Sequence, residues 1–304
     1  MRILTYNVRY FSHATRGLAS TRKAMHRIAS TLAKLDPLVD VMCLQEIETA
    51  SLRSTLAHPK RSEDDTQLAQ FVTMLHDELA ARSATKKESY EAFYFPAHKY
   101  RAAGDAHFYT TGLAVLARKP IVIDHHNAGS PVDITHRHLH PIKRLKQTRI
   151  CAHVRLRMPD GPSLDVFNTH LSLPSTMTRE FWSGGQRLGW GPNQVAEAKN
   201  LARFVKAERK SEAFLVVGDF NALPGSPTYD YLTNDAGLFD VMRAREEPWP
   251  TAGFMRLRMR LDHVFTGSGL SWGAFEHSRP FGDKASPFHG LSDHVPLLAT
   301  CRAA

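Results

Sequence analysis

Short apolar runs of strand length recur along the whole chain with helix-period stripes set between them, and that interleaving leaves few folds open. Strand character is read at Arg2–Thr5, Val39–Leu44, Gly112–Ala117, Arg149–Arg157, Leu164–Thr169, Ala213–Gly218, Leu261–Phe265 and Val295–Thr300. Most of these are continuous apolar runs, as strands covered on both faces require. Arg149–Arg157 instead alternates, with Ile150, Ala152, Val154 and Leu156 against Cys151, His153, Arg155 and Arg157, which predicts a half-exposed strand. Asp160-Gly161 after it predicts a hairpin with Leu164–Thr169. Helical stripes run through Met25, Ile28, Leu32 and Leu35, through Leu68, Phe71, Val72, Leu75 and Leu79, and through Val195, Ala198, Leu201, Ala202 and Val205 after a cap at Pro192-Asn193. With no linker, repeat or low-complexity tract to divide it, the chain reads as one α/β domain over residues 1–304.

Composition narrows the class. Cys43, Cys151 and Cys301 lie far apart in apolar stretches, which predicts reduced core residues and neither disulfides nor a zinc spacing. No run is long enough to span a bilayer and Met1-Arg2-Ile3-Leu4 starts directly on a strand pattern, so a cytoplasmic protein is expected, as a monomer. A net charge of +9 favours an anionic partner: nucleic acid, a phosphorylated small molecule or an acidic membrane surface.

Polar residues fall at the ends of the apolar runs. Asn7 follows the first, Gln45-Glu46 the second; Asn168 and His170 close Leu164–Thr169, and Asp219 and Asn221 follow Ala213–Gly218. Asp262 sits inside Leu261–Phe265, and Asp293-His294 precedes the last run. If the strands share a rim, Glu46, Asp219 and Asp293 gather with two amides and two histidines. Crowded carboxylates repel unless a cation lies among them, and an oxygen-rich set suits Mg²⁺ or Mn²⁺ rather than zinc. Amides and histidine donate to an anion, so the chemistry indicated is metal-assisted hydrolysis of a phosphate ester.

The segments TYNVRY (Thr5–Tyr10), LQEIE (Leu44–Glu48), NTHLSL (Asn168–Leu173), GDFNALPGSP (Gly218–Pro227), RLDHVF (Arg260–Phe265) and LSDHVPL (Leu291–Leu297) resemble, in order, the motifs of the endonuclease/exonuclease/phosphatase superfamily. The resemblance implies a deoxyribonuclease-I-like four-layer α/β sandwich, with two mixed β-sheets packed face to face and helices outside. It implies Glu46 as principal metal ligand, Asn7 beside it on metal or phosphate, and Asp293 as a further metal ligand. Asp219 then orients the attacking water, Asn221 holds a phosphoryl oxygen, His170 binds phosphate, and His294 is the catalytic histidine paired with Asp262; Asp219 and His294 are rivals for general base. Repair endonucleases of the exonuclease-III kind carry an acid where this chain has Arg9 and a tyrosine where it has His170. Both departures point instead to the deoxyribonuclease, sphingomyelinase or general phosphodiesterase branches. The reading is a divalent-metal-dependent phosphodiesterase acting on nucleic acid, with a lipid or small-molecule phosphoesterase as the alternative and a catalytically idle phosphate-binding module as the third.

Several loops bear on substrate choice. Lys143, Arg144, Lys146 and Arg149 form either a phosphate-contacting patch or a solvated face. Phe181, Trp182 and Trp190 sit among glycines, where they face substrate or pack beneath the loop. Ser51–Asp65 reads as a polar loop, and the histidines of Asp124–His140 match no zinc pattern.

Overall fold

The computed structural model describes residues 1–11, 18–47, 66–82, 88–97, 99–101, 107–109, 112–136, 148–159, 161–173, 188–243, 249–254, 257–273, 275 and 278–304. Two mixed sheets carry the fold. In the first, β1 (Arg2–Asn7) and β2 (Val41–Ile47) run parallel, with β3 (Tyr90–Pro96) and β4 (Gly112–Arg118) continuing beyond β2. In the second, β5 (Val122–His126), β6 (Ile150–Arg157), β7 (Leu164–His170), β8 (Phe214–Asp219) and β9 (Asp262–Thr266) lie side by side, with β7 and β8 parallel. On the far side of β1 in the first sheet lie β10 (Leu270–Trp272) and β11 (Leu297–Ala303). Each sheet thus holds one parallel pair at its centre.

Period-two alternation explains the layering, because successive side chains of one strand must find apolar neighbours on opposite faces. Ile3, Val41, Cys43, Val115, Ala152, Val166, Val217 and Leu297 fill the space between the sheets. Leu4, Tyr6, Met42 and Leu44 turn outward onto α1 (Leu18–Ala33) and α2 (Gln67–Arg82), meeting Met25, Ile28, Leu32, Phe71 and Leu75. Phe167, Val216 and Phe265 turn outward onto α3 (Pro192–Glu208), meeting Ala198, Leu201 and Val205. The result is the four-layer sandwich, and each fully buried Leu, Ile or Phe in it contributes about 1.5–3 kcal/mol. Cys43, Cys151 and Cys301 are free and buried in these layers, as expected.

The structure corrects three local expectations. The strand over Ile150–Arg157 pairs with β7 as the predicted hairpin, but it is covered on both faces for most of its length. His153 is buried because its Nε2 lies 2.9 Å from Asp165 Oδ1 and its ring stacks on Phe167. The third helix begins at Pro192 rather than after it, with Gly191 as its cap; Gln194 Oε1 accepts from the Gly189 and Gly191 N–H groups and closes the first turn. Its buried face includes Gln194 and Glu197, two polar residues that a purely apolar stripe leaves out. Strands Tyr90–Pro96 and Val122–His126 were not picked out from the sequence: the first mixes four aromatics with Glu91, Ala92 and Pro96, the second is exposed at all but Ile123 and carries Asp124, His125 and His126. Among the described residues no helix is long and apolar enough to cross a membrane. Ser51–Asp65, Lys143, Arg144, Lys146, Phe181 and Trp182 lie outside the described residues.

Candidate active site

The two central parallel pairs end on the same rim. Asn7 is in register with Gln45 in the first sheet, and His170 with Asp219 in the second. A polar clamp locks the sheets together just beneath: Gln45 Nε2 donates to Asn168 Oδ1 at 2.8 Å, and Asn168 Nδ2 donates to the carbonyls of Leu44 and Ala114. Both amides read in the sequence as strand-end polar residues; these partners offset much of the cost of burying them, although Gln45 Oε1 finds no donor among the described residues.

Two backbone irregularities aim the acids. Leu44 faces the helices, so strict alternation would send Glu46 the same way, away from Asn7. Instead the pairing of β2 with β4 shifts register between Gln45 and Ile47, and Glu46 takes φ +58°. This bulge turns its carboxylate to Asn7, whose Nδ2 lies 3.1 Å from Glu46 Oε1. A left-handed non-glycine residue costs on the order of 1–3 kcal/mol, a strain typical of functional positions. On β8, Gly218 has φ +142° and lies so close to β7 that a Cβ there would stand 1.9 Å from the Thr169 carbonyl oxygen. The strand ends at Asp219, Phe220 turns into the helix-side core, and Asn221 takes φ +48°. The extended form therefore does not run on to Asn221. Its N–H donates to Asp219 Oδ1 (3.0 Å) and its Nδ2 to the Leu171 carbonyl (2.9 Å), tying the turn after β8 to the turn after β7.

Asp219 Oδ2 is the hub. Asn7 Nδ2 lies 3.0 Å from it, His170 Nε2 3.5 Å and His294 Nε2 3.7 Å. His170 Nε2 is also 3.9 Å from Glu46 Oε1, and His294 Nδ1 lies 2.8 Å from Asp262 Oδ2. Asn7, Glu46, His170, Asp219, Asp262 and His294 are thus brought together, with Asn221 attached through the second oxygen of Asp219. Asp293 is drawn off to one side. Its Oδ2 is 2.6 Å from Arg9 Nη1, and Ser292 Oγ lies 3.3 Å from its Oδ1 while donating to the Asn7 carbonyl. Asn7 Oδ1 accepts from the Arg9 N–H, which leaves the amide nitrogen for the two carboxylates. Arg9, Tyr10 and Phe11 have φ of 45°, 54° and 51°, a left-handed turn pinned by Phe11 against Phe71.

Charge in this space is unbalanced. Burial raises the Glu46 pKa, and burial raises Asp219 to about 7 despite the opposing charge of His294. For His294 burial alone would lower the pKa, but the charges of Asp262 and Asp219 outweigh it and hold the value at about 10. His170 goes the other way, well below the usual range, through burial and the positive charges of Arg149 and His294. The site therefore pairs an imidazolium at His294 with a neutral imidazole at His170. One ligand atom each from Asp219, Asp262 and His294 falls within 4.8 Å of the others.

Arg149, which the sequence groups with Lys143, Arg144 and Lys146 as either a phosphate-contacting patch or a solvated face, is only 9% exposed, and its charge is felt at Glu46, Asp219 and His170. Trp190 and Leu173, which border residues 174–187, are exposed.

No curated protein matches the chain by sequence. Among solved structures, an endonuclease/exonuclease/phosphatase protein from Bacteroides vulgatus is 17% identical with a TM-score of 0.66, covering 100% of this chain and 98% of the other. The mannosyl-6-phosphatase of Bacteroides thetaiotaomicron is 14% identical with a TM-score of 0.61, covering 99% of each chain. ANGEL2, a 2′,3′-cyclic phosphatase solved with adenosine-2′,3′-vanadate, is 17% identical with a TM-score of 0.61, covering 99% of this chain and 95% of that one. These likenesses establish the shared fold. The sequence profile of the Endonuclease/Exonuclease/phosphatase family matches residues 4–294, nearly the whole chain. The chain therefore belongs to the Endonuclease/Exonuclease/phosphatase family, whose members are phosphoester hydrolases and generally depend on a divalent metal.

Proposed function

We propose that this chain is a phosphodiesterase acting on nucleic acid, with Mg²⁺ or Mn²⁺ as its cation. The observation that carries the reading is the convergence of Asn7, His170 and His294 on one carboxylate oxygen of Asp219, with Glu46 on the far side of Asn7. The donor set fits a hard divalent cation: buried carboxylates pushed up in pKa are stabilised by a positive charge, and no thiolate is present. Glu46 is assigned as its principal ligand, with Asn7 fixing the spacing of Glu46 and Asp219. Asp293 is the neighbouring carboxylate, balanced by Arg9. Asp262 and His294 are better read as a dyad than as metal ligands, because the Nδ1 of His294 is already engaged by Asp262. When bound, the cation would polarise a phosphoryl oxygen and stabilise the charge that develops on it.

The chain's own groups divide the remaining work. Asp219 orients the attacking water and takes its proton. His294, held as imidazolium by Asp262, gives its Nε2 proton to the ester oxygen that leaves as its P–O bond breaks. Neutral His170 donates one hydrogen bond to the phosphate, and Asn221 fixes the turn that presents Asp219. Net charge +9 supports a polyanionic substrate. A second reading, a lipid or small-molecule phosphoester, is favoured by Leu173 and Trp190, whose exposed apolar side chains lie on the segments bordering residues 174–187.

Turnover of bis(p-nitrophenyl) phosphate is expected to require added Mg²⁺ or Mn²⁺, to stop with EDTA and to be lost in Glu46→Gln. On DNA, activity under subsaturating conditions is expected to fall by about ten-fold or more as salt rises over the range 50–200 mM, because binding through several phosphates releases counterions. Salt-insensitive hydrolysis of sphingomyelin vesicles with no action on DNA would select the second reading. Absence of any metal-dependent turnover would leave only a phosphate-binding module.

A further inference from the structure

We infer that Arg149 is the anion receptor of this site, its guanidinium receiving the phosphoryl oxygens of the substrate while Ser172 and Glu197 hold it from behind. The inference rests on the phosphoester reading above and adds the residue that sets the site's affinity for phosphate.

Arg149 lies one residue before β6, on the side where β6 pairs with β7 through Cys151 opposite Thr169, next to the turn that follows His170. Its backbone is held on both sides: its N–H donates to Thr135 Oγ1 at 2.7 Å, and its carbonyl accepts from the Ile134 N–H at 2.9 Å. The side chain is fixed by a relay. Arg149 Nε donates to Ser172 Oγ at 3.3 Å, Ser172 Oγ donates to Glu197 Oε1 at 2.7 Å, and the Ser172 N–H donates to Glu197 Oε2 at 2.9 Å. Glu197 is a fully buried acid on the sheet-facing side of α3, and its charge stabilises the guanidinium from the rear.

The front is different. Among the described residues neither Nη nitrogen donates a hydrogen bond, although the residue is buried and its charge reaches Glu46 and Asp219. Neither Nη is among the fully buried side-chain atoms left without a partner, so the fork stays reachable, and a planar fork matches two oxygens of a phosphate. A lysine on a surface loop could supply charge alone; Arg149 supplies charge, direction and a fixed position.

The inference predicts opposite effects on the two ligands of the site. Calorimetric titration with inorganic phosphate in the presence of Mg²⁺ is expected to show affinity about ten-fold or more weaker in Arg149→Met and Arg149→Gln than in the parent. Mg²⁺ affinity is expected to hold or rise in the same variants, since a positive charge near Glu46 and Asp219 has gone; general damage to the site would lower both. Arg149→Lys is expected to fall between, with KM raised more than kcat is lowered. The inference is overturned if the parent binds no phosphate, or if a folded Met or Gln variant binds phosphate as the parent does. A fall in phosphate and Mg²⁺ affinity together would also overturn it. Should both neutral variants fail to fold, a Lys variant with parental phosphate affinity and KM overturns it. Neither titration needs turnover, so an inactive parent would refute the hydrolase reading and leave this one to be decided by binding.

Discussion

Alanine in place of His294 is expected to lower kcat on a phosphodiester by roughly 10²–10⁴-fold, the range for loss of a positioned acid–base group. Asp262→Asn is expected to lose most of the same factor, and the double variant Asp262→Asn/His294→Ala no more than His294→Ala alone. The reason is geometric: the hydrogen bond of Asp262 into the site is to His294 Nδ1, 2.8 Å away, while Nε2 lies 3.7 Å from Asp219 Oδ2. Groups that act as a unit are not additive.

The pH profile supplies a second readout. Burial would lower the His294 pKa, and Asp262 is the first of the charges that reverse this and hold it at about 10. The imidazolium persists below that value and is lost above it. Removing the Asp262 charge therefore moves the alkaline limb of kcat/KM to lower pH, whereas a merely structural defect would scale the whole profile. Mn²⁺ affinity is expected to be unchanged in Asp262→Asn. Loss of Mn²⁺ binding there would convert Asp219, Asp262 and His294 into a metal trio, and additive losses in the double variant would sever the proposed dyad.

The sequence makes most of the site's membership legible and little of its aim. Asn7, Asp219 and His170 are readable because each ends an apolar run, and a strand that stops at the rim of a sheet must present its last polar residue there. Glu46 is legible as a member but not in its direction: nothing in VMCLQEI announces the bulge, and alternation taken literally sends its carboxylate to the helices. Asn221 would share a face with Asp219 only if the strand stayed extended beyond Gly218, and the left-handed turn replaces that geometry with a bond to Leu171. Asp293 is legible as an acid beside His294, but its neighbour in space, Arg9, is not; their pairing joins residues 284 positions apart. Arg149 shows the same limit. Its sequence neighbours are surface-like cations, and only Glu197, a charge hidden in an apolar stripe, signals that this arginine is inside. Partners across the sheets cannot be inferred from spacing along the chain.

Gly218→Ala is expected to be the most destabilising single methyl in the protein, about 3–5 kcal/mol from combined strain and overpacking. Its φ of +142° is one that an L side chain rarely adopts, and the new Cβ would stand 1.9 Å from the Thr169 carbonyl oxygen, a backbone atom that can move only if β7 moves. Gly225 separates the two contributions. It too is left-handed, at φ +77°, but nothing lies within 4 Å of an added Cβ, so Gly225→Ala carries the backbone strain alone, about 1 kcal/mol. Urea unfolding of the two variants is expected to give a midpoint for Gly218→Ala far below that of Gly225→Ala, and equal midpoints would show that the close approach of β7 and β8 carries no weight. The same displacement also reaches the chemistry, because Thr169 and Gly218 are the register pair immediately before His170 and Asp219. Any Gly218→Ala protein that folds is therefore expected to lose kcat while Gly225→Ala keeps it. The parallel pair at the centre of the second sheet is held close by a missing methyl, and that closeness sets the distance between the phosphate-facing histidine and the carboxylate at the hub.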